Sequence, residues 1–146
     1  MRPSKDTYYL DIAVAVSKRS TCLKRHYGCV IVKDNVIIST GYNGSPRGEE
    51  NCCDRGSCKR ADAKRYSGYE NCDSVHAEQN ALIATGRDRL LGSTAYLACE
   101  QVLFSSRGGV FVEDKNPTPC PLCLRMLKNA GVDRIINRRG EIYVRD

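Results

Sequence analysis

Two stretches of this chain look like helix starts, and together they carry a divided ligand set: "SVHAEQNALIATG", from Ser74 to Gly86, and "PCPLCLRMLKNAG", from Pro119 to Gly131. The first holds one of only two histidines in the chain. His76 stands in its first turn, and Glu78 follows two residues later. The second places Cys120 and Cys123 at the start of another helix, with Pro121 in the first turn and Gly131 past the end. Two thiolates and one imidazole are three candidate metal ligands. A fold that uses them has to bring two helix N-termini together.

Zinc is the metal this donor set suits. It takes four ligands, and a catalytic zinc leaves the fourth position to water. The C-x-x-C spacing puts both sulfurs at one helical end, where the positive end of the helix dipole favours thiolates. Water bound to such an ion loses a proton near neutral pH and becomes a nucleophile. Glu78 is better placed to carry protons than to bind metal. A carboxylate there can take a proton from the water and deliver it to the atom under attack. Blander readings stand beside this one. A histidine at a helix start is usually a capping or surface residue, and a C-x-x-C pair can be a redox couple or two buried thiols.

The chain of 146 residues suggests a single domain, residues 1–146, with one core. Charged residues make up 27% and apolar residues 41%, as in ordinary globular proteins. No apolar run approaches the roughly 20 residues that span a membrane. Asp6 and Asp11 interrupt the N-terminal segment, so it is not a signal peptide, and a cytoplasmic protein is expected. That segment instead predicts an amphipathic helix with Tyr9, Ile12, Ala13 and Val16 on one stripe. The net charge of +6 suits an anionic partner, though a solvated basic surface explains it equally well. Positive charge is scattered and no aromatic–basic track accompanies it, so nucleic acid is not an expected partner.

Nine cysteines, an odd number in a chain without an export signal, argue against a disulfide framework and for metal. Residues 28–33 and 36–40 read as a hairpin turning at Asp34-Asn35. "GYNGSPRG" leaves the sheet as a loop. Residues 45–73 are polar and irregular, and four cysteines suggest a stapled segment. A helix over 75–84, a strand in "STAYLACE", the helix after Cys120 and a strand in "VDRIIN" follow, with "EIYVRD" as a last short strand. Residues 101–118 suggest a hairpin turning at Gly108-Gly109. Strands alternating with helices predict an α/β fold with a central mixed sheet and helices on its faces.

H-A-E followed by P-C-x-x-C is the signature of zinc nucleobase deaminases. The chain resembles the cytidine deaminase superfamily and, within it, the deoxycytidylate deaminases. The resemblance runs through "RSTCLKRHYGCVIVKDNVIISTGYNGSPRG", "NCCD", "VHAEQNAL", "TPCPLC" and "NAGVDRII". It implies a three-layer α/β/α fold with about five strands. It implies that His76, Cys120 and Cys123 hold the catalytic zinc while Glu78 carries protons. The reaction implied is hydrolysis of dCMP to dUMP and ammonia, supplying the dTMP pathway. Asn43 would hydrogen-bond the sugar, with a turn-forming role beside Gly44 as the alternative, and Ala77 joins it in the substrate-binding set. Gly44 and Arg47 become candidates for contact with a dCTP or dTTP effector, with Mg2+ accompanying the nucleotide. Homo-oligomers, dimers or hexamers, are also implied.

Cys22, Cys52, Cys58 and Cys72 sit where similar enzymes carry the ligands of a second, structural zinc. Cys53 is a spare, and His26 a further conceivable ligand that reads better as a surface residue. Cys29 and Cys99 fall in strand patterns and read as small core residues. Residues 100–117 are extra relative to the resemblance. They leave a deaminase of another nucleobase, nucleoside or nucleotide as the alternative function. Arg107 stands in that insert as a phosphate candidate, although exposed hairpin arginines are common. A zinc module without chemistry and a thiol redox protein are further readings. Intact Glu78 disfavours the first, and tightly bound zinc would count against the second.

Overall fold

The computed structural model describes residues 1–60, 62–105 and 108–146. Helix α1, Lys5–Ser17, is opened by the Ser4 side chain, which accepts from the Thr7 N–H. Strands β1, Arg25–Lys33, and β2, Val36–Tyr42, form the expected antiparallel hairpin. Its two-residue turn has Asp34 and Asn35 both at positive φ, the type I′ geometry that matches strand twist. A one-turn α2, Cys52–Arg55, and a 3-10 turn at Tyr69–Asn71 are the regular elements of the cysteine-rich segment. Then come α3, Ala77–Ile83, and a short α4, Arg87–Leu90. Strand β3, Thr94–Ser105, precedes β4, Gly108–Asp114. Helix α5, Pro121–Ala130, and strands β5, Arg134–Asn137, and β6, Gly140–Val144, complete the chain.

The sheet has six strands rather than about five, in the order β2-β1-β3-β5-β6, with β4 also on β3. The extra strand comes from the 100–117 insert. β3 runs twelve residues, longer than its sequence pattern suggests. Its first part pairs with β5 in parallel, and beyond Cys99 the same edge pairs with β4. The inserted hairpin exists, but Gly108 and Gly109 lie inside β4, paired with Ser105 and Phe104. The connection, including Arg107, lies outside the described residues.

Alternation of side chains sorts the core into two layers. Cys29 and Ile31 of β1, with Ala95 and Leu97 of β3, face α3 and α5 and meet Ala77, Ala81 and Leu127. Val30 and Val32, with Tyr96 and Ala98, face α1 and meet Tyr9, Leu10 and Ala13. The α1 stripe is turned from the one expected: Tyr9, Leu10, Ala13 and Ser17 are buried, and Ile12 and Val16 flank it. Ser17 is tolerated inside because its hydroxyl donates to the Val14 carbonyl at 2.6 Å. Both expected core cysteines, Cys29 and Cys99, are fully buried.

Two glycines set how closely the helices lie on the sheet. A Cβ on Gly28 would fall 2.0 Å from the Ala13 carbonyl oxygen of α1. A Cβ on Gly41 would fall 2.3 Å from the Ala77 carbonyl and 2.5 Å from the Ala81 nitrogen of α3. α3, which carries the histidine–glutamate pair, therefore rests directly on the β2 backbone.

Candidate metal centre and its cleft

The N-termini of α3 and α5 meet on one face of the sheet. His76 is the residue preceding α3, and its backbone N–H donates to the Gln79 side chain at 2.8 Å. The Ser39 hydroxyl donates to the Ala81 carbonyl at 2.6 Å, and the Asn80 amide donates to the Tyr42 carbonyl at 2.8 Å. Both bonds tie α3 to β2. The segment leading into His76 is fixed by a two-bond bridge between Gly44 and Val75. Cys120 caps α5, its sulfur accepting from the Cys123 N–H at 3.4 Å.

The His76 Nδ1 lies 3.6 Å from the Cys120 Sγ and 3.2 Å from the Cys123 Sγ. All three donor atoms fall within 4.8 Å of one another. A tetrahedral zinc with Zn–S of about 2.3 Å and Zn–N of about 2.0 Å has donor–donor edges of roughly 3.5–3.8 Å. The donor set and its spacing fit that ion. Burial, and after it Arg60, holds the His76 pKa below its ordinary value, so the imidazole is in its neutral, ligating form. Burial, followed by Glu78 and Cys120, pushes the Cys123 thiol up. A divalent cation reverses that balance by pairing with the thiolate. Glu78 is only 5% exposed, and burial raises its pKa, opposed by hydrogen bonds from its own backbone and from Cys123. It therefore stands beside one candidate ligand, as a proton carrier should.

Above these residues opens a cleft of about 360 Å³. Asn43 lines it, but its side chain is already engaged. Its Oδ1 accepts from the Tyr27 N–H at 2.8 Å, and its Nδ2 donates to the Arg25 carbonyl at 3.0 Å. One Nδ2 hydrogen remains for a ligand. Ala77 also lines the cleft. Gly44 is bonded to Val75, next to His76, and Arg47 is exposed; neither lines this cleft.

Other residues at the cleft or supporting its walls carried no sequence signal of their role. The Tyr69 ring stands edge-on to His76, with centroids 5.4 Å apart. Burial, with Cys120 next, raises the Tyr69 hydroxyl pKa to about 12. Asn137 is 1% exposed, and its Nδ2 donates to the Pro117 carbonyl at 2.9 Å and to the Asn116 side chain at 3.0 Å. That fixes the approach to Cys120. The insert reaches the cleft through Asp114, which pairs with Arg25 at 3.3 Å.

His26 is not a surface residue. It is 9% exposed, bonds the Cys22 carbonyl through Nε2 at 2.8 Å and stacks on Phe111 of β4. The inserted strand is what covers it. Cys22, Cys52, Cys58 and Cys72 share one neighbourhood: burial raises the Cys52 thiol, with Cys22, Cys58 and Cys72 adding to it. Among the described residues, however, no three of their sulfurs lie within 4.8 Å of one another. The segment's C-terminal end is tied to its middle by Asp73, which meets Lys59 at 2.8 Å and Arg55 at 3.6 Å.

A family model described as the cytidine and deoxycytidylate deaminase zinc-binding region matches residues 3–138. The chain belongs to this deaminase family. It is 46% identical over 101 residues to the deoxycytidylate deaminase of Schizosaccharomyces pombe, covering 68% of this chain and 31% of that one. The deoxycytidylate deaminase of Mycobacterium phage D29 is 34% identical, covering 92% of this chain and 94% of its own. The chain thus spans about a third of the yeast relative and nearly all of the phage relative. The crystal structure of the dCMP deaminase from cyanophage S-TIM5, in complex with dCMP and dUMP, superposes with a TM-score of 0.64 at 25% identity. That superposition covers 93% of this chain and 82% of the phage deaminase. Among the described residues, no helix of this deaminase-family chain is long and apolar enough to cross a membrane.

Proposed function

We propose that this protein deaminates dCMP to dUMP and ammonia, with His76, Cys120 and Cys123 holding a catalytic zinc and Glu78 carrying protons. The observation that carries the reading is the convergence of those three donors, with buried Glu78 hydrogen-bonded to Cys123, beside one cleft that His76, Glu78 and Cys120 line. The relatives named deoxycytidylate deaminase and the phage structure holding dCMP and dUMP support the choice of substrate. Zinc bound there supplies a Lewis acid that acidifies water to near neutral pH. Glu78 accepts a proton from the attacking water and donates it to N3 of the cytosine. It then passes the second water proton to the leaving amino group. The C4–N bond breaks, a C4–O bond replaces it, and water plus cytosine becomes uracil plus ammonia. Ala77 donates from its backbone N–H, which at the first helical position has no partner within the helix. Asn43 offers its remaining Nδ2 hydrogen to the sugar.

Ammonia release from dCMP, CMP, deoxycytidine, cytidine and adenosine by the zinc-loaded protein tests this reading. Turnover led by dCMP supports it. Turnover led by another member keeps the chemistry and gives the site a different substrate. No turnover in any sample overturns it.

We also infer a second, structural zinc on Cys22, Cys52, Cys58 and Cys72. Their chemistry and neighbourhood support it, and the Cys22 sulfur already accepts the Lys24 N–H at 3.5 Å. Closing that site requires the sulfurs to draw in to about 3.8 Å. Residues 45–73 contribute few residues to the core, so an ion there would order them. Elemental analysis should find two zinc ions per chain, falling to one in Cys58→Ser with loss of order in this segment. One zinc per fully active wild-type chain would rule the site out.

A further inference from the structure

We propose that the cysteine-rich segment is the phosphate reader of this cleft, with Arg65 and Arg60 holding the 5′-monophosphate of the substrate. The proposal rests on the deaminase reading above and adds what distinguishes a nucleotide from a nucleoside. Both arginines line the cleft that ends at His76 and Glu78. The other arginine there, Arg25, is compensated by Asp114 at 3.3 Å. Among the described residues neither Arg60 nor Arg65 is in an ion pair. Among the described residues the sole carboxylate lining the cleft is Glu78, which is 5% exposed.

Each guanidinium is nevertheless held in place. Arg60 stacks over Tyr69 at 4.7 Å and donates through Nη2 to the Lys64 carbonyl at 3.1 Å and through Nε to the Ser67 carbonyl. Arg65 stacks over Tyr66 at 4.8 Å, and its Nη2 reaches the Thr118 hydroxyl at 3.5 Å. Stacking fixes the plane of a guanidinium while leaving in-plane N–H groups for an anion. Two oriented cations without carboxylates, at the mouth of a cleft, are an anion site looking for its ligand. The Tyr66 hydroxyl also meets the Thr118 hydroxyl at 3.4 Å. The segment therefore reaches across to the lead-in of Cys120. An anion held under that crossing sits at the end of a ligand, as a terminal phosphate does, rather than within a continuing strand.

The test compares dCMP with deoxycytidine on the zinc-loaded full chain. Arg65→Gln should lower kcat/KM for dCMP about 30-fold, with deoxycytidine changed less than about twofold. Arg65→Lys should recover part of the loss, and Arg60→Gln should show the same selectivity. Equal losses on both substrates, or no loss on dCMP, would overturn the proposal. Calorimetry of dUMP against deoxyuridine gives a readout independent of turnover: the wild type should prefer dUMP, and Arg65→Gln should erase most of that preference. Should the wild type deaminate nothing, the deaminase reading fails, and the calorimetry still decides the phosphate site. A wild type that binds dUMP no better than deoxyuridine would sink it.

Discussion

Glu78→Gln is expected to abolish deamination while zinc stays bound. The substitution keeps the volume and hydrogen-bonding reach of a side chain that is 5% exposed and bonded to Cys123, so α3 and the ligand set should survive it. What it removes is a group that can accept and release a proton. General acid–base catalysis by one positioned side chain contributes roughly a hundredfold to ten-thousandfold. Glu78 is asked to move more than one proton per turnover, so kcat should fall by about a thousandfold or more. Zinc content, measured on the same sample, should equal that of the wild type. Retained activity would show that another group moves the protons. Lost zinc with lost activity would make Glu78 a metal ligand, contrary to the grouping of His76 with the two cysteines.

The second large effect is expected at a residue with no chemistry. Gly41→Ala puts a methyl group 2.3 Å from the Ala77 carbonyl and 2.5 Å from the Ala81 nitrogen, both backbone atoms that cannot swing aside. α3 has to lift from β2. Overpacking of this kind costs about 3 kcal/mol, which for a chain of this size is roughly 10 °C in Tm. The lift also moves His76 and Glu78 relative to Cys120 and Cys123, because the latter pair belongs to α5. Zinc affinity and kcat of the folded fraction should both drop. Gly28→Ala is the control. Its Cβ would clash at 2.0 Å with the Ala13 carbonyl, on the opposite face of the sheet. It should cost similar stability, and the protein that remains folded should keep its zinc. If both variants lose zinc equally, the site depends on global stability rather than on the seat of α3.

The β1–β2 hairpin was legible because Asp34-Asn35 is a two-residue turn between β-rich runs, a signal that is entirely local. α5 was legible from Pro121 and Gly131, which mark helix ends by their own backbone preferences. The α1 stripe was misplaced by part of a turn. Periodicity gives the width of an apolar face, but the contact with Gly28 decided which residues lie at its centre. The burial of His26 has no local signal, because its cover, Phe111, belongs to a strand far along the chain. The pattern of the insert predicts a hairpin with Gly108-Gly109 at its turn. Both glycines lie instead in β4, where cross-strand register with β3 decides pairing.

By itself the sequence determined the chemistry available to this protein: one histidine, one carboxylate and a C-x-x-C pair at two helix starts, and four further cysteines in a segment with little core. Residue identity and short spacing fix donor types and helix ends, since these depend on groups within a turn of one another. Only the tertiary structure decided which groups meet. It brought His76 to 3.2 Å from the Cys123 sulfur, committed most of Asn43 to the β1 backbone, and left Gly44 and Arg47 out of the cleft lining. It also set Arg60 and Arg65 over the cleft without carboxylates. Those outcomes follow from sheet order and from the close approach of helices to glycines, which are properties of long-range packing and have no local spelling in the chain.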